Sequence, residues 1–193
     1  MLFVLAVAVI GCGPKSGGTP SASSNAASTS PAANGAAASM LSTPDRLYDA
    51  VHSGNFQVGA AVDSIEVALK QARELKKTMP KAIVPGLEEV AAQLDSVGAD
   101  LAEHAGEPPT SEDVKAGPDK FEKECLAALQ DLDDAKNALT DAASQLESMM
   151  ENQPDEVFEK LDSLTRLIEA ALDDVAGATA AYSGTAPPEP DAP

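Results

Sequence analysis

Between Phe121 and Met149 the apolar residues Phe121, Cys125, Ala128, Leu132, Ala135, Leu139, Ala142, Leu146 and Met149 advance by alternating steps of four and three. That spacing leaves little choice of structure. A mean step of 3.5 keeps one face of an α-helix apolar through four heptads, whereas in a strand it would scatter the same residues over both faces. Pro118 stands at the first position of this helix, where a missing amide proton costs nothing. Asn152-Gln153-Pro154 breaks the pattern. It resumes at Val157, Leu161, Leu164, Ile168, Ala171, Val175, Ala178 and Tyr182, again in steps of four and three. Asp155 and Glu156 occupy the first turn, where acids suit the helix dipole.

Two further helices are predicted upstream. The first opens at Ser42-Thr43-Pro44-Asp45, a capping residue followed by proline and an acid. Leu47, Tyr48 and Val51 lie on one face. Gly54-Asn55 then marks either the end of a short helix or a weak point in a long one. Beyond it Val58, Val62, Ile65, Leu69, Ala72, Leu75 and Met79 give a heptad-like face, and Pro80 ends the helix. Lys70, Arg73, Lys76 and Lys77 crowd its last turns, as a helix C-terminus favours. The second helix starts at Pro85, with Leu87, Val90, Ala91, Leu94, Val97, Leu101 and Ala105 on one face and Gly106 as its expected C-cap. Residues 107–117, with Pro108-Pro109, read as a loop.

These features define an all-α chain, expected as an antiparallel up-down four-helix bundle over residues 43–182, since short connections between successive helices make hairpins. The alternative is a long hairpin of the last two helices with the first two packed more loosely. The core has to be aliphatic, because aromatics are 3% of the sequence and there is no tryptophan. Alanine-rich seams bring helices close together, so a large pocket is not expected. The net charge of −18, from 31 Asp and Glu against 13 Lys and Arg, repels phosphate backbones and excludes nucleic-acid binding. It also repels anionic lipid, so a membrane contact has to come from an anchor. The 4/3 face of Phe121–Met149 would also suit pairing between chains, as a homo-oligomer.

The N-terminus carries the clearest functional signal. Residues 2–10 are uncharged and apolar, too short to span a bilayer but of signal-peptide length. The run ends in Val9-Ile10-Gly11-Cys12, which resembles the lipobox of bacterial lipoproteins. The resemblance covers about a dozen residues. It implies that residues 1–11 are a signal peptide removed before Cys12, that Cys12 is diacylated on sulfur, and that the domain is held in the cell envelope outside the cytoplasm. Such signals open on Lys or Arg, whereas here Leu2 follows Met1 directly; a start further upstream would supply the charge. In inner-membrane enteric lipoproteins an Asp follows the cysteine; Gly13 stands there instead, which under that rule implies the outer membrane. Residues 12–42 continue after Cys12 as nearly all Gly, Pro, Ser, Thr, Ala and Asn, with the single charge of Lys15, a composition that cannot form a core and reads as disordered linker. Some 30 such residues span roughly 30 Å. Residues 183–193 are a Pro-rich tail without an apolar face, also expected to be disordered.

Residues that could carry chemistry are few. The start of the first helix, the end of the second, the start of the third and the end of the fourth share one end of the expected bundle, which sets His52, His104, Cys125 and Tyr182 at similar height. Imidazole and thiolate there could hold haem or a transition metal, an alternative to a purely structural or protein-binding role. Against it, neither histidine stands in a Glu-x-x-His pair and no Cys-x-x-Cys-His is present. Both histidines are therefore expected at the surface and Cys125 as a small buried hydrophobe. Met79, Met149 and Met150 are expected to fill gaps at the other end. No catalytic motif is present and no general base can be nominated, so no enzyme, cofactor or metal is expected. The partners that remain are the membrane, through Cys12, and an unidentified envelope protein.

Overall fold

A computed structural model of the chain describes residues 43–185. The signal-like run, Cys12, the linker and the tail beyond residue 185 lie outside the described residues. Within them the fold is all-α, without a strand: α1 Pro44–Thr78, α2 Val84–Ala102, α3 Ser111–Ala116, α4 Pro118–Met150 and α5 Asp155–Tyr182. The helix α1 packs against α2 and α5, and α4 packs against the same two helices from the other side. Among the described residues no helix is long and apolar enough to cross a membrane.

The two 4/3 seams read from the sequence are the buried faces. On α4 every seam residue from Phe121 to Leu146 is buried, and on α5 the seam is buried from Leu161 to Tyr182. Thr165, outside that seam, is the buried polar residue of the described chain. Its hydroxyl donates to the Leu161 carbonyl one turn back, which satisfies it inside its own helix.

The first helix departs from expectation in two ways. It runs through Gly54-Asn55 without a break. Its buried seam is Leu47, Val51, Gly54, Val58, Ala61, Ile65, Ala68, Ala72 and Leu75, a 4/3 repeat as regular as that of α4. The larger Val62 is only partly buried. Weighting by side-chain size selects Val62 over Ala61 and passes over Gly54. Packing selects the small residues, because α5 lies close. A Cβ on Gly54 would stand 2.6 Å from the Tyr182 ring, inside any permitted carbon–carbon contact.

The termini follow local chemistry. Thr43 is the N-cap of α1 and Pro44 its first residue, although the threonine side chain makes no capping bond. The second helix stops at Ala102, before the Gly106 expected to cap it, and His104 and Ala105 continue as a turn bonded to Leu101 and Ala102. Residues 107–117, expected as loop, hold α3. Its N-terminus is closed by a capping box: the Asp113 amide donates to Thr110 Oγ1 at 3.2 Å and the Thr110 amide donates back to Asp113 Oδ2 at 3.1 Å. The expected tail also begins as structure. Gly184 has φ +65°, the Thr185 amide donates to the Ala180 carbonyl and the Gly184 amide to that of Ala181, a Schellman closure of α5. Between α4 and α5, Asn152 takes φ 60°, a left-handed conformation that asparagine tolerates.

Candidate functional site

One end of the molecule gathers most of the residues singled out from the sequence. A cleft of about 810 Å³ opens there. Val51 and Asn55 of α1, Phe121 and Glu124 of α4 and Tyr182 of α5 line it on the helix side; His104, Glu107, Pro109, Asp113 and Ala116 line it from the α2–α3 segment. This corrects the expectation that no large pocket forms. Between the long helices α2 and α4 there is only a smaller groove, lined in part by Ala135 and Ala138. The cleft forms instead where the helices end and α3, six residues long, bridges the gap between them.

Tyr182 organises the floor. Its ring lies on Gly54 and its hydroxyl donates to Asn55 Oδ1 at 2.7 Å. The phenol is pushed well above its ordinary range, first by burial and then by the neighbouring Cys125 and Glu124. Cys125, one turn beyond Phe121, is fully buried. Burial, with Glu124 and Glu122 beside it, pushes its thiol up to about 12. At neutral pH it is a protonated, apolar side chain, poorly suited to act as nucleophile or metal ligand.

His104 departs from the expected surface position. Its side chain is only 16% exposed and its Nε2 lies 2.6 Å from Asp131 Oδ2, tying the end of α2 to the middle of α4. His52 is exposed and does not line the cleft; its ring packs at 5.5 Å from that of Tyr48, one turn before it. His104, Cys125 and Tyr182 thus share one end while His52 faces away, and the imidazole–thiolate set of the alternative reading does not converge. Among the described residues no group of three or more His, Cys, Asp or Glu side chains is arranged to hold a metal ion.

Charges on the rim are mostly acidic. Glu103, Glu107, Asp113 and Glu124 face one cation, Lys120, whose Nζ sits 4.9 Å over the Phe121 ring and 3.6 Å from Glu124. A second, smaller groove of about 260 Å³ runs between α2 and α4, with Asp100, Asp131 and Asp134 on its edges. Gln93 Oε1, in its wall, is buried without a hydrogen-bond partner. The basic end of α1 is not an open patch. Arg73 pairs with Asp95, Lys76 with Glu88 and Lys77 with Glu74, so most of those cations secure α2 or their own helix. Met79 is buried at that end, and Met149 lies over Gly86 at the start of α2.

Sequence reasoning missed α3 and therefore the cleft. The signal was present as Thr110-x-x-Asp113, the spacing of a capping box, but Pro108-Pro109 and the absence of an apolar repeat concealed it. Comparisons with protein-family models, with curated proteins and with solved structures find no match for this chain.

Proposed function

We propose that the chain is a lipid-anchored extracytoplasmic protein of the bacterial envelope, whose helices form an antiparallel up-down four-helix bundle with a non-enzymatic structural or protein-binding role. The observation that carries this reading is Val9-Ile10-Gly11-Cys12 followed by some thirty residues of Gly, Pro, Ser, Thr, Ala and Asn. A signal, an acylable cysteine and a spacer in that order are what a tethered domain requires. Support for the antiparallel arrangement comes from the cross-helix pairs. Between α1 and α5 Asn55 meets Tyr182 and Ser64 meets Asp174; between α1 and α2 Arg73 meets Asp95 and Lys76 meets Glu88. Between α2 and α4 Glu89 meets Gln145, and His104, just past α2, meets Asp131. In each helix pair the residue numbers run in opposite directions.

In this reading the linker reaches the bundle at Thr43, on the end that holds the cleft. The Asn152 turn and the connection between α1 and α2 lie at the other end of the bundle from Thr43. Phe158, 46% exposed near the Asn152 turn, is then available to a partner protein. The thiol and histidines do not favour the metal or haem alternative: Cys125 is buried, His104 is engaged by Asp131, and His52 lies outside the cleft. Metabolic labelling with a fatty acid tests the anchor. The wild-type chain should incorporate label and Cys12→Ala should not; an unlabelled wild type, or label that persists in Cys12→Ala, refutes the reading.

A further inference from the structure

We propose that residues 106–117, the short helix α3 with a glycine on each side, form a hinged flap that opens without unfolding the four long helices and so gates the floor of the cleft. The inference rests on the described domain and is independent of the lipid anchor.

Six residues are far too few for a helix to persist on local bonds alone, so α3 exists because something holds it down. The helix α3 packs against α1 and, less, against α4, and two of its side chains anchor it. Val114 is fully buried, the one buried residue of α3. Lys115 Nζ lies 3.0 Å from Asp45 Oδ1 at the start of α1, with both side chains more than half exposed. The capping box joins Thr110 to Asp113, so it lies inside the flap and would travel with it.

The ends of the segment are fixed. Before it, His104 is bonded to Asp131. After it, Phe121 is buried in the first turn of α4. Gly106 and Gly117 stand between those fixed points and the helix; a Cβ on Gly106 would meet nothing within 4 Å, so this hinge is free of packing. The segment also forms one wall of the cleft, opposite Val51, Phe121 and Tyr182. Lifting it bares those three side chains and brings water within one helical turn of Cys125. The helix α3 buries one side chain and makes one solvated ion pair, whereas each long helix buries a whole seam. Its opening should therefore fall at the low end of the local-unfolding range.

Hydrogen exchange and thiol labelling test this in the full chain carrying Cys12→Ser, in which Cys125 is the only thiol. The amides of 111–116 should exchange about a hundredfold or more faster than those of the α1 seam between 58 and 72. Val114→Ala should speed both α3 exchange and Cys125 labelling about tenfold while leaving the α1 and α5 seams unchanged. Lys115→Ala, a surface change that carries no folding risk, should speed both about two- to threefold. If α3 amides and Cys125 react only as fast as the α1 seam, and all shift together in Val114→Ala, the segment is part of one cooperative unit and the flap is refuted. If Val114→Ala speeds α3 exchange but not Cys125 labelling, the segment opens without gating the floor, and the proposal is equally overturned.

Discussion

At the residue scale, two glycines five residues apart on α1 have opposite roles. A methyl at Gly54 would collide with the Tyr182 ring, which its hydrogen bond to Asn55 holds in place; a methyl at Gly59 would meet nothing within 4 Å. Gly54→Ala should therefore lower stability by about 1–3 kcal/mol through overpacking, less up to ~1 kcal/mol of helix propensity regained. Gly59→Ala should raise it by about 0.5–1 kcal/mol. Between them Phe56 is 75% exposed, and Phe56→Ser should move stability by no more than about 0.5 kcal/mol. Thermal melts of the three variants check this; equal signs for the two glycines would refute the close approach of α5. Cys125 supplies a pH test. Its thiol is raised from 9.0 to about 12, so the native state prefers the protonated form. The associated stability is complete below pH 9 and is lost as pH rises through about 12, on the order of 4 kcal/mol at the alkaline limit. Tyr182 is raised as well and acts in the same direction. The melting temperature should fall above pH 9, and less steeply in Cys125→Ala.

At the scale of the element, α3 depends on its cap. The hydroxyl and then the backbone amide of Thr110 hold the Asp113 carboxyl below its ordinary 3.8. A depressed carboxylate contributes above 3.8, and the contribution is lost as pH falls through the lower folded value. Amide resonances of Thr110 and Asp113 should titrate with a midpoint below 3.8; a midpoint at or above 3.8 contradicts the capping box. Thr110→Ala removes the acceptor for the Asp113 amide and should weaken α3 by about 1 kcal/mol, seen as faster exchange over 111–116 with the long helices unaffected. The long elements need no such help. Their 4/3 seams bury Leu, Ile, Val and Ala continuously from α1 to α5, and helices of this length gain most of their stability from that burial.

At the scale of the whole molecule, the seam of α4 that invites pairing between chains is already occupied, since its residues from Phe121 to Leu146 are buried against helices of the same chain. With a net charge of −18 opposing association, residues 43–185 should sediment as a monomer and unfold in one cooperative, helical transition. A dimer in sedimentation, or a melt that separates α1 and α2 from α4 and α5, would favour the looser arrangement of a long hairpin with two attached helices. Some surface ion pairs, such as Lys160–Glu156 and Arg166–Asp162, tie residues one turn apart on a single helix. They should contribute little, because water and salt screen exposed charges.

The period of the apolar residues is a local property, and it was enough to establish the helical class, the extents of α4 and α5, the proline starts of α1 and α4, and the buried position of Cys125. Sequence alone also supplied the lipobox resemblance and its linker. What it could not supply depended on residues far away in the chain. Gly54 reads as a helix breaker until Tyr182, whose hydroxyl bonds a residue 127 positions away, lies across it. Ala61 is buried and the larger Val62 only partly so, a choice made by the helices packed on that face. His104 reads as a solvated residue at a helix end until Asp131 comes within 2.6 Å of it. Beyond the Thr110-x-x-Asp113 cap of α3 the cleft has no sequence signature, because it is the space left where four helix ends and a six-residue helix fail to fill one another. Periodicity specifies which face of a helix is apolar; only the packed partner decides how large a side chain that face can accept.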